Sequence, residues 1–178
     1  VKNEVSKIEK PTVLDAYAGI ATFGICVSDV AEKVTSVEEN FSSIQKAKEV
    51  LKSNNIKNVE LFAQDTLRYL KSIKKKFDII ILDPPRKGCT QEVLDEVLRH
   101  LKSNHSKAES DEILRSAQND AIAEGASKGK IIYVSCNPAT LARDLKYLTE
   151  HGAKVESIQP FDMFCHTYHI ENVAIINL

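Results

Sequence analysis

The sequence carries almost no net charge: 24 basic and 25 acidic side chains leave −1 across 178 residues. A strongly basic balance would by itself mark a nucleic-acid partner. Here the bulk charge is silent, so any such partner has to be argued from a site. No apolar run approaches the roughly 20 residues that a membrane span requires. The opening VKNEVSKIEK lacks the apolar stretch of a signal peptide. Cys26, Cys89, Cys136 and Cys165 form no CxxC pair, which argues against a zinc or iron–sulfur site and fits a reducing, cytoplasmic setting. The chain starts with Val1 rather than Met, as a piece of a longer protein would.

What is present is an alternation. TVLDAY (12–17), KVTSVE (33–38), NVELFA (58–63), FDIIILD (77–83), KIIYVSC (130–136), AKVESIQPF (153–161) and ENVAIINL (171–178) read as strands. Several are apolar at consecutive positions, which suits strands covered on both faces of a parallel sheet. Helical patterns fall at about 20–30, 40–54, 65–74, 90–103 and 138–151. In the second of these, Phe41, Ile44, Ala47, Val50 and Leu51 keep helical spacing. The alternation predicts a doubly wound α/β fold of the Rossmann type, a seven-stranded and mostly parallel sheet. Too few residues join the last two strands for a helical crossover, so an antiparallel pair is expected at the sheet edge. The polar stretch 102–129 reads as a surface insertion in a single domain, either flexible or with a short helix at about 111–118 begun by Ser110.

The first strand runs into a glycine-containing turn, Gly19-Ile20-Ala21-Thr22-Phe23-Gly24, which lacks the middle glycine of a dinucleotide fingerprint. Asp15, Glu38, Asp65 and Asp83 close four successive strands at the carboxyl edge, where open α/β sheets bind ligands. Glu38 is placed to accept from ribose hydroxyls. Four acids suit a ligand that is cationic and carries a ribose, which describes S-adenosylmethionine; a dinucleotide's pyrophosphate would be repelled. The plainer reading is that Asp15 and Asp65 cap helices.

Asp83 opens DPPRKG, a loop stiffened by Pro84 and Pro85, able to lie over a flat base. Arg86 and Lys87 are suited to phosphate. Cys136 ends the fifth strand just before Asn137 and Pro138, where a helix dipole favours a thiolate. A buried structural cysteine is the alternative there. Asp162, His166, His169 and Glu171 cluster near the last strand without any familiar metal-ligand spacing. Glu171, at the start of that strand, is a candidate general base.

Together, DPPRKG, SCNPATLARD and DMFCHTYHIENVAII resemble the RNA uracil-5-methyltransferase family. The first turn and VEEN…SNNIKNVELFAQD resemble that family's S-adenosylmethionine fold. The resemblance covers nearly everything outside 102–129. It implies a nucleophile at Cys136, a proton-abstracting carboxylate at Glu171, and cofactor contacts at Tyr17, Thr22, Glu38, Asp65 and Asp83 around Gly19. It also implies tRNA or rRNA as partner, with carbon 5 of a uridine as methyl acceptor. The sequence departs from the family at Ala18, at Ala21 (where a glycine is usual) and at Cys165 (where a proline is usual). Nothing here matches the family's upstream RNA-binding domains, so the expectation is a catalytic domain alone. A methyltransferase of another class, or a cofactor-binding fragment without activity, is the competing reading.

Overall fold

The computed structural model describes residues 1–101, 129–163, 166, 167 and 170–178. The elements in chain order are α1 (Lys2–Val5), β1 (Thr12–Ala16), α2 (Thr22–Val27), β2 (Lys33–Glu38), α3 (Phe41–Ser53), β3 (Val59–Ala63), α4 (Thr66–Ser72), β4 (Ile79–Leu82), α5 (Gln91–Leu101), β5 (Lys130–Ser135), α6 (Pro138–Glu150), β6 (Lys154–Phe161) and β7 (Glu171–Asn177). The expected strands and helices are all present, most of them a residue or two shorter at an end. Among the described residues only the one-turn α1 is additional. The expected helix at 111–118 lies outside the described residues.

The strands form one sheet in the order β3-β2-β1-β4-β5-β7-β6. The pairs among β1 to β5 are parallel. β7 runs antiparallel to both its neighbours, so the strand of opposite sense lies one place in from the edge and β6 forms the edge. The consecutive apolar residues of β4 and β5 have the expected cause. Every residue of both strands is buried, because helices cover both faces. On one face Val5, Val27 and Leu51 of α1, α2 and α3 pack on Val13, Ile79 and Ile132. On the other, Leu70, Leu94 and Leu145 of α4, α5 and α6 pack on Leu14, Ile80 and Ile131.

Chain order reverses direction across the sheet at β1 and β4, which leaves a crevice outside their carboxyl ends. Asp15, near the end of β1, lies beneath that crevice rather than in it, with no exposed surface. Its Oδ2 accepts the N–H of Gly24 at 2.9 Å and the hydroxyl of Ser36 at 3.1 Å. Its Oδ1 has no hydrogen-bond partner among the described residues. A Cβ at Gly24 would lie 2.4 Å from the Ser36 hydroxyl and 2.9 Å from Asp15 Oδ2, so only glycine lets α2 come this close to the carboxylate.

Burial, reinforced by the charges of Asp83 and Glu38, overrides these two hydrogen bonds and pushes the Asp15 carboxyl up to about 7 from an ordinary 3.8. Between those values the folded chain holds a proton that the unfolded chain has released. Stability therefore falls as pH rises through this window and levels off above it. Asp15→Asn, which cannot ionise, should melt a few degrees above the parent at about pH 8, with the gap closing towards pH 5. Thermal unfolding of both proteins across that range measures it, and a gap independent of pH would refute the assignment.

Candidate active site

The turn after β1 is tightly wound. Tyr17 (φ 60°), Gly19 (φ 55°) and Ala21 (φ 61°) all sit in the left-handed region. Such a backbone suits glycine, and the two side-chain-bearing residues cost roughly 1–2 kcal/mol each there. Ala21 occupies the position where the family usually has glycine, and it keeps the conformation glycine would adopt freely. The winding turns the N–H of Gly19 onto Glu38 Oε2 at 3.0 Å, while Glu38 Oε1 accepts from Asn40 N–H at 2.8 Å. Each oxygen retains acceptor capacity, so Glu38 is held in place and can still receive ribose hydroxyls.

A cleft of about 540 Å³ opens beside this turn, walled by Tyr17, Glu38, Asp65, Asp83, Pro84 and Pro85 among others. Asp65 does two things. It caps α4, accepting the N–H of Arg68 at 2.9 Å, and it lines the cleft. The capping reading and the ligand reading thus describe one residue. Thr22 opens α2 at the surface and Gly19 gives its N–H to Glu38; neither of these expected contacts lines the cleft. Asp83 is exposed at the cleft mouth. Loss of hydration against the cleft walls, and then the charge of Glu171, raise its carboxyl to about 6. For the site, the juxtaposition matters more than the size of the shift: Glu171, from the far end of the sequence, shares this rim with Asp83.

Strand register explains how it gets there. The last registered pair between β5 and β7 is Ser135 with Asn172. One step further along both chains stand Cys136 and Glu171. Cys136 is half-buried, unlike Cys89, which is buried, and Cys26, which is exposed. Asn137 caps α6 by accepting from Ala139 N–H at 3.1 Å, with Pro138 at the first helical position, so the thiol stands at a helix start. The antiparallel sense of β7 is what brings these two chain positions to the same edge of the sheet.

The DPPRKG loop is fastened to that helix. Asn137 Nδ2 and the Thr140 hydroxyl donate to Arg86 O at 3.2 and 3.1 Å. Arg143 Nη2 donates to Lys87 O at 2.9 Å and to Cys89 O at 3.0 Å. Asp144 Oδ2 accepts from Cys89 N–H at 2.8 Å and from the Tyr133 hydroxyl at 2.6 Å. Burial pushes the Cys89 thiol up to about 12, which leaves it an inert packing group. Pro84 is buried, while Pro85, Arg86 and Lys87 are exposed, and Lys87 also reaches the cleft. Tyr133, Arg143 and Asp144 escaped the sequence reading because their role is visible only across 50 residues of chain. The adjacent basic and acidic pair inside SCNPATLARD was the available signal.

Of the residues singled out near the C-terminus, Asp162 and His166 are exposed, while Cys165 and His169 lie outside the described residues. No group of three or more potential metal ligands occurs among the described residues. No helix among them is long and apolar enough to cross a membrane.

Comparison with known proteins agrees with this geometry. Residues 118–177 match the model of the tRNA (Uracil-5-)-methyltransferase family, and residues 2–125 match that of Conserved hypothetical protein 95. An uncharacterized RNA methyltransferase of Thermotoga maritima is 38% identical over 164 residues, covering 92% of this chain and 31% of that protein. The chain thus spans about a third of such relatives. Among solved structures, the tRNA (uracil-54, C5)-methyltransferase of Pyrococcus abyssi, in complex with S-adenosyl-L-homocysteine, is 30% identical with a TM-score of 0.70, covering 98% of this chain and 36% of that one. An rRNA methylase from Streptococcus thermophilus shares the fold alone, at 11% identity and a TM-score of 0.69, covering 99% of this chain and 92% of that one. With its motifs in order on this sheet, the chain is similar to the tRNA (Uracil-5-)-methyltransferase family over residues 118–177 and to RNA methyltransferases over nearly its whole length.

Proposed function

We propose that this chain binds S-adenosylmethionine and methylates carbon 5 of a uridine in RNA, with Cys136 as nucleophile and Glu171 as base. The observation that supports the reading is the β5–β7 register, whose last pair is Ser135 with Asn172, so that the half-buried Cys136 and Glu171 follow one step further at the same sheet edge, with the charge of Glu171 acting on Asp83 of the acidic cleft.

The cleft fits the cofactor on its own chemistry. Its acids, Glu38, Asp65 and Asp83, favour a cationic ligand. Below them Asp15 Oδ1 is buried without a hydrogen-bond partner among the described residues. Glu38, already oriented by two backbone N–H groups, would take the ribose hydroxyls. Tyr17 and Pro84 would flank the purine. When bound, S-adenosylmethionine supplies an electrophilic methyl group.

The chain's own groups do the rest. Carbon 5 of uracil is a weak nucleophile. Addition of the Cys136 thiolate to carbon 6 forms a carbon–sulfur bond and pushes the ring electrons onto carbon 5 and the carbon-4 oxygen. Once carbon 5 carries the methyl group it still holds its hydrogen. Glu171 removes that proton, the electron pair re-forms the double bond, and the carbon–sulfur bond breaks to return the thiolate. Nucleophile and base must be separate groups because the base acts while the thiol is still bonded to the ring. The uridine has to leave its stack to reach this edge, so a flipped base or a single-stranded loop is the expected substrate. Arg86 and Lys87, exposed beside the cleft, are suited to the phosphates on either side.

Cys136→Ala should abolish methylation while leaving the affinity for S-adenosylhomocysteine within about twofold, as expected for a residue that acts on the acceptor alone. Retained turnover would remove Cys136 from the mechanism. Glu171→Gln should accumulate a covalent protein–RNA adduct, visible as a shifted band on a denaturing gel. Free protein only, with an RNA that the parent methylates, would count against Glu171 as the base. Glu38→Ala should weaken S-adenosylhomocysteine binding by roughly tenfold or more in calorimetry, the scale of a lost charged hydrogen bond. An unchanged affinity would displace the ribose from Glu38.

A further inference from the structure

We propose that Phe161, at the end of the edge strand β6, is a stacking platform for the nucleobase next to the target uridine. The inference rests on the acceptor being a uridine in RNA, as proposed above.

The end of the sheet that carries Glu171 is unusually apolar at its surface. Ile158 and Phe161 on β6, with Met163 and Ile170 between β6 and β7, are four of the seven large apolar side chains exposed among the described residues. Single exposed apolar residues are ordinary, whereas a group of them marks an interaction surface. Past Val155 every residue of β6 is exposed. Phe161 is 45% exposed although its backbone is held in the ladder with β7. Its ring is thus offered to solvent from a fixed position.

That position is set by register. Phe161 pairs directly with Glu171. Opposed residues of an antiparallel pair project to one face, with Cβ atoms about 4.5–5.5 Å apart, so ring and carboxylate share a face. The charge of Glu171 in turn reaches Asp83 at the cleft mouth. Cys136, one step beyond the pair of Ser135 with Asn172, ends β5, two strands in from β6. Two strand spacings are about 10 Å, more than one pyrimidine ring covers. The ring at 161 therefore serves the adjoining nucleotide and leaves the target to the thiol.

A uridine drawn out of its stack leaves its neighbour with a bare face, and an aromatic side chain covers such a face whichever base carries it. Charge selects the same contact. Asp162 is exposed beside Phe161 and Glu171 stands opposite it, so phosphate is disfavoured at this edge. Arg86 and Lys87 are exposed on the loop after β4, on the far side of β5. Phosphates go to that loop, and a base goes to the ring.

The test uses stem-loop RNAs drawn from tRNA and rRNA, each with a uridine in the loop, in the presence of S-adenosylhomocysteine. Phe161→Ala should weaken RNA binding by about tenfold, as for one lost base–aromatic stack. Its melting temperature and its affinity for S-adenosylhomocysteine should stay parental. The slope of log affinity against log salt should also be unchanged, because no phosphate contact is lost, whereas Lys87→Ala should lower it by about 0.7. Phe161→Leu keeps apolar area without an aromatic face and should behave as Phe161→Ala does. Phe161→Trp should retain parental affinity, and because the chain has no other tryptophan, its emission reads the contact directly and should be quenched by RNA. Parental affinity in Phe161→Ala overturns the proposal and leaves the methylation reading standing. Parental affinity in Phe161→Leu, with tryptophan emission in Phe161→Trp unmoved by RNA, replaces the stack with a plain apolar contact and overturns it as well. Dimerisation of the parent that Phe161→Ala abolishes, without loss of RNA affinity, gives the surface to a second copy of the chain. A parent that binds none of these RNAs removes the acceptor and this inference with it.

Discussion

The site depends on the direction of one strand. β7 enters the sheet between β5 and β6, antiparallel to both. Its first residue, Glu171, therefore lies at the edge where β5 ends. Were β7 parallel to β5, its seven residues would carry Glu171 to the opposite edge, roughly 20 Å away at about 3.3 Å per residue. The hairpin from β6 makes the antiparallel sense obligatory, because so short a link cannot cross the sheet. That positions 136 and 171 reach the same sheet edge is thus a property of topology. It survives any substitution that keeps the hairpin and the β5–β7 register.

The cleft floor shows what such a site costs. Asp15 is buried with one oxygen unsatisfied, and Tyr17 and Ala21 hold left-handed backbone beside it. Each is unfavourable for folding alone, by on the order of 1–3 kcal/mol. They persist because the apolar strands around them over-determine the backbone. All four residues of β4 are buried, as are four of the five of β1. Lys10, Asn55 and His166 hold left-handed backbone elsewhere, but Tyr17 and Ala21 share one turn at the point of the sheet where ligands are expected, and the Ala18–Ala21–Ala47 contact beneath α2 and α3 holds it from behind.

Much of this was legible in the sequence, for identifiable reasons. Period and burial gave the strands, because Ile79 to Leu82 and Ile131 to Val134 have no polar face to confuse the reading. Capping chemistry gave the start of α4, since Asp65 does accept the N–H its type suggests, whereas Asn40 and Asn137, which cap α3 and α6 in the same way, carried a signal that went unread. The acid row was legible as a row but not in depth. Strand alternation sends Asp15 into the sheet's interior against Gly24, while Asp83, one step past the end of β4, escapes to the rim. Sequence also could not reveal that α6 grips the Arg86–Cys89 turn. That grip joins residues more than 50 positions apart through backbone carbonyls, which carry no residue-type signal.

The distribution of charge around the cleft bears on what it can admit. Glu38, Asp65, Asp83 and Glu171 face inward or sit on the rim, whereas Arg86 and Lys87 project from the exposed side of the same loop. A polyanion cannot push its phosphates past such a rim without desolvating like charges against one another. It can hold phosphates at the cations and send in an uncharged base. Net neutrality is then compatible with a nucleic-acid partner, because the charge that matters is the separation of signs across one short loop rather than its sum over the chain. The same separation favours a cationic donor over an anionic one within the cleft. Charge alone thus favours different ligands on the two sides of this loop.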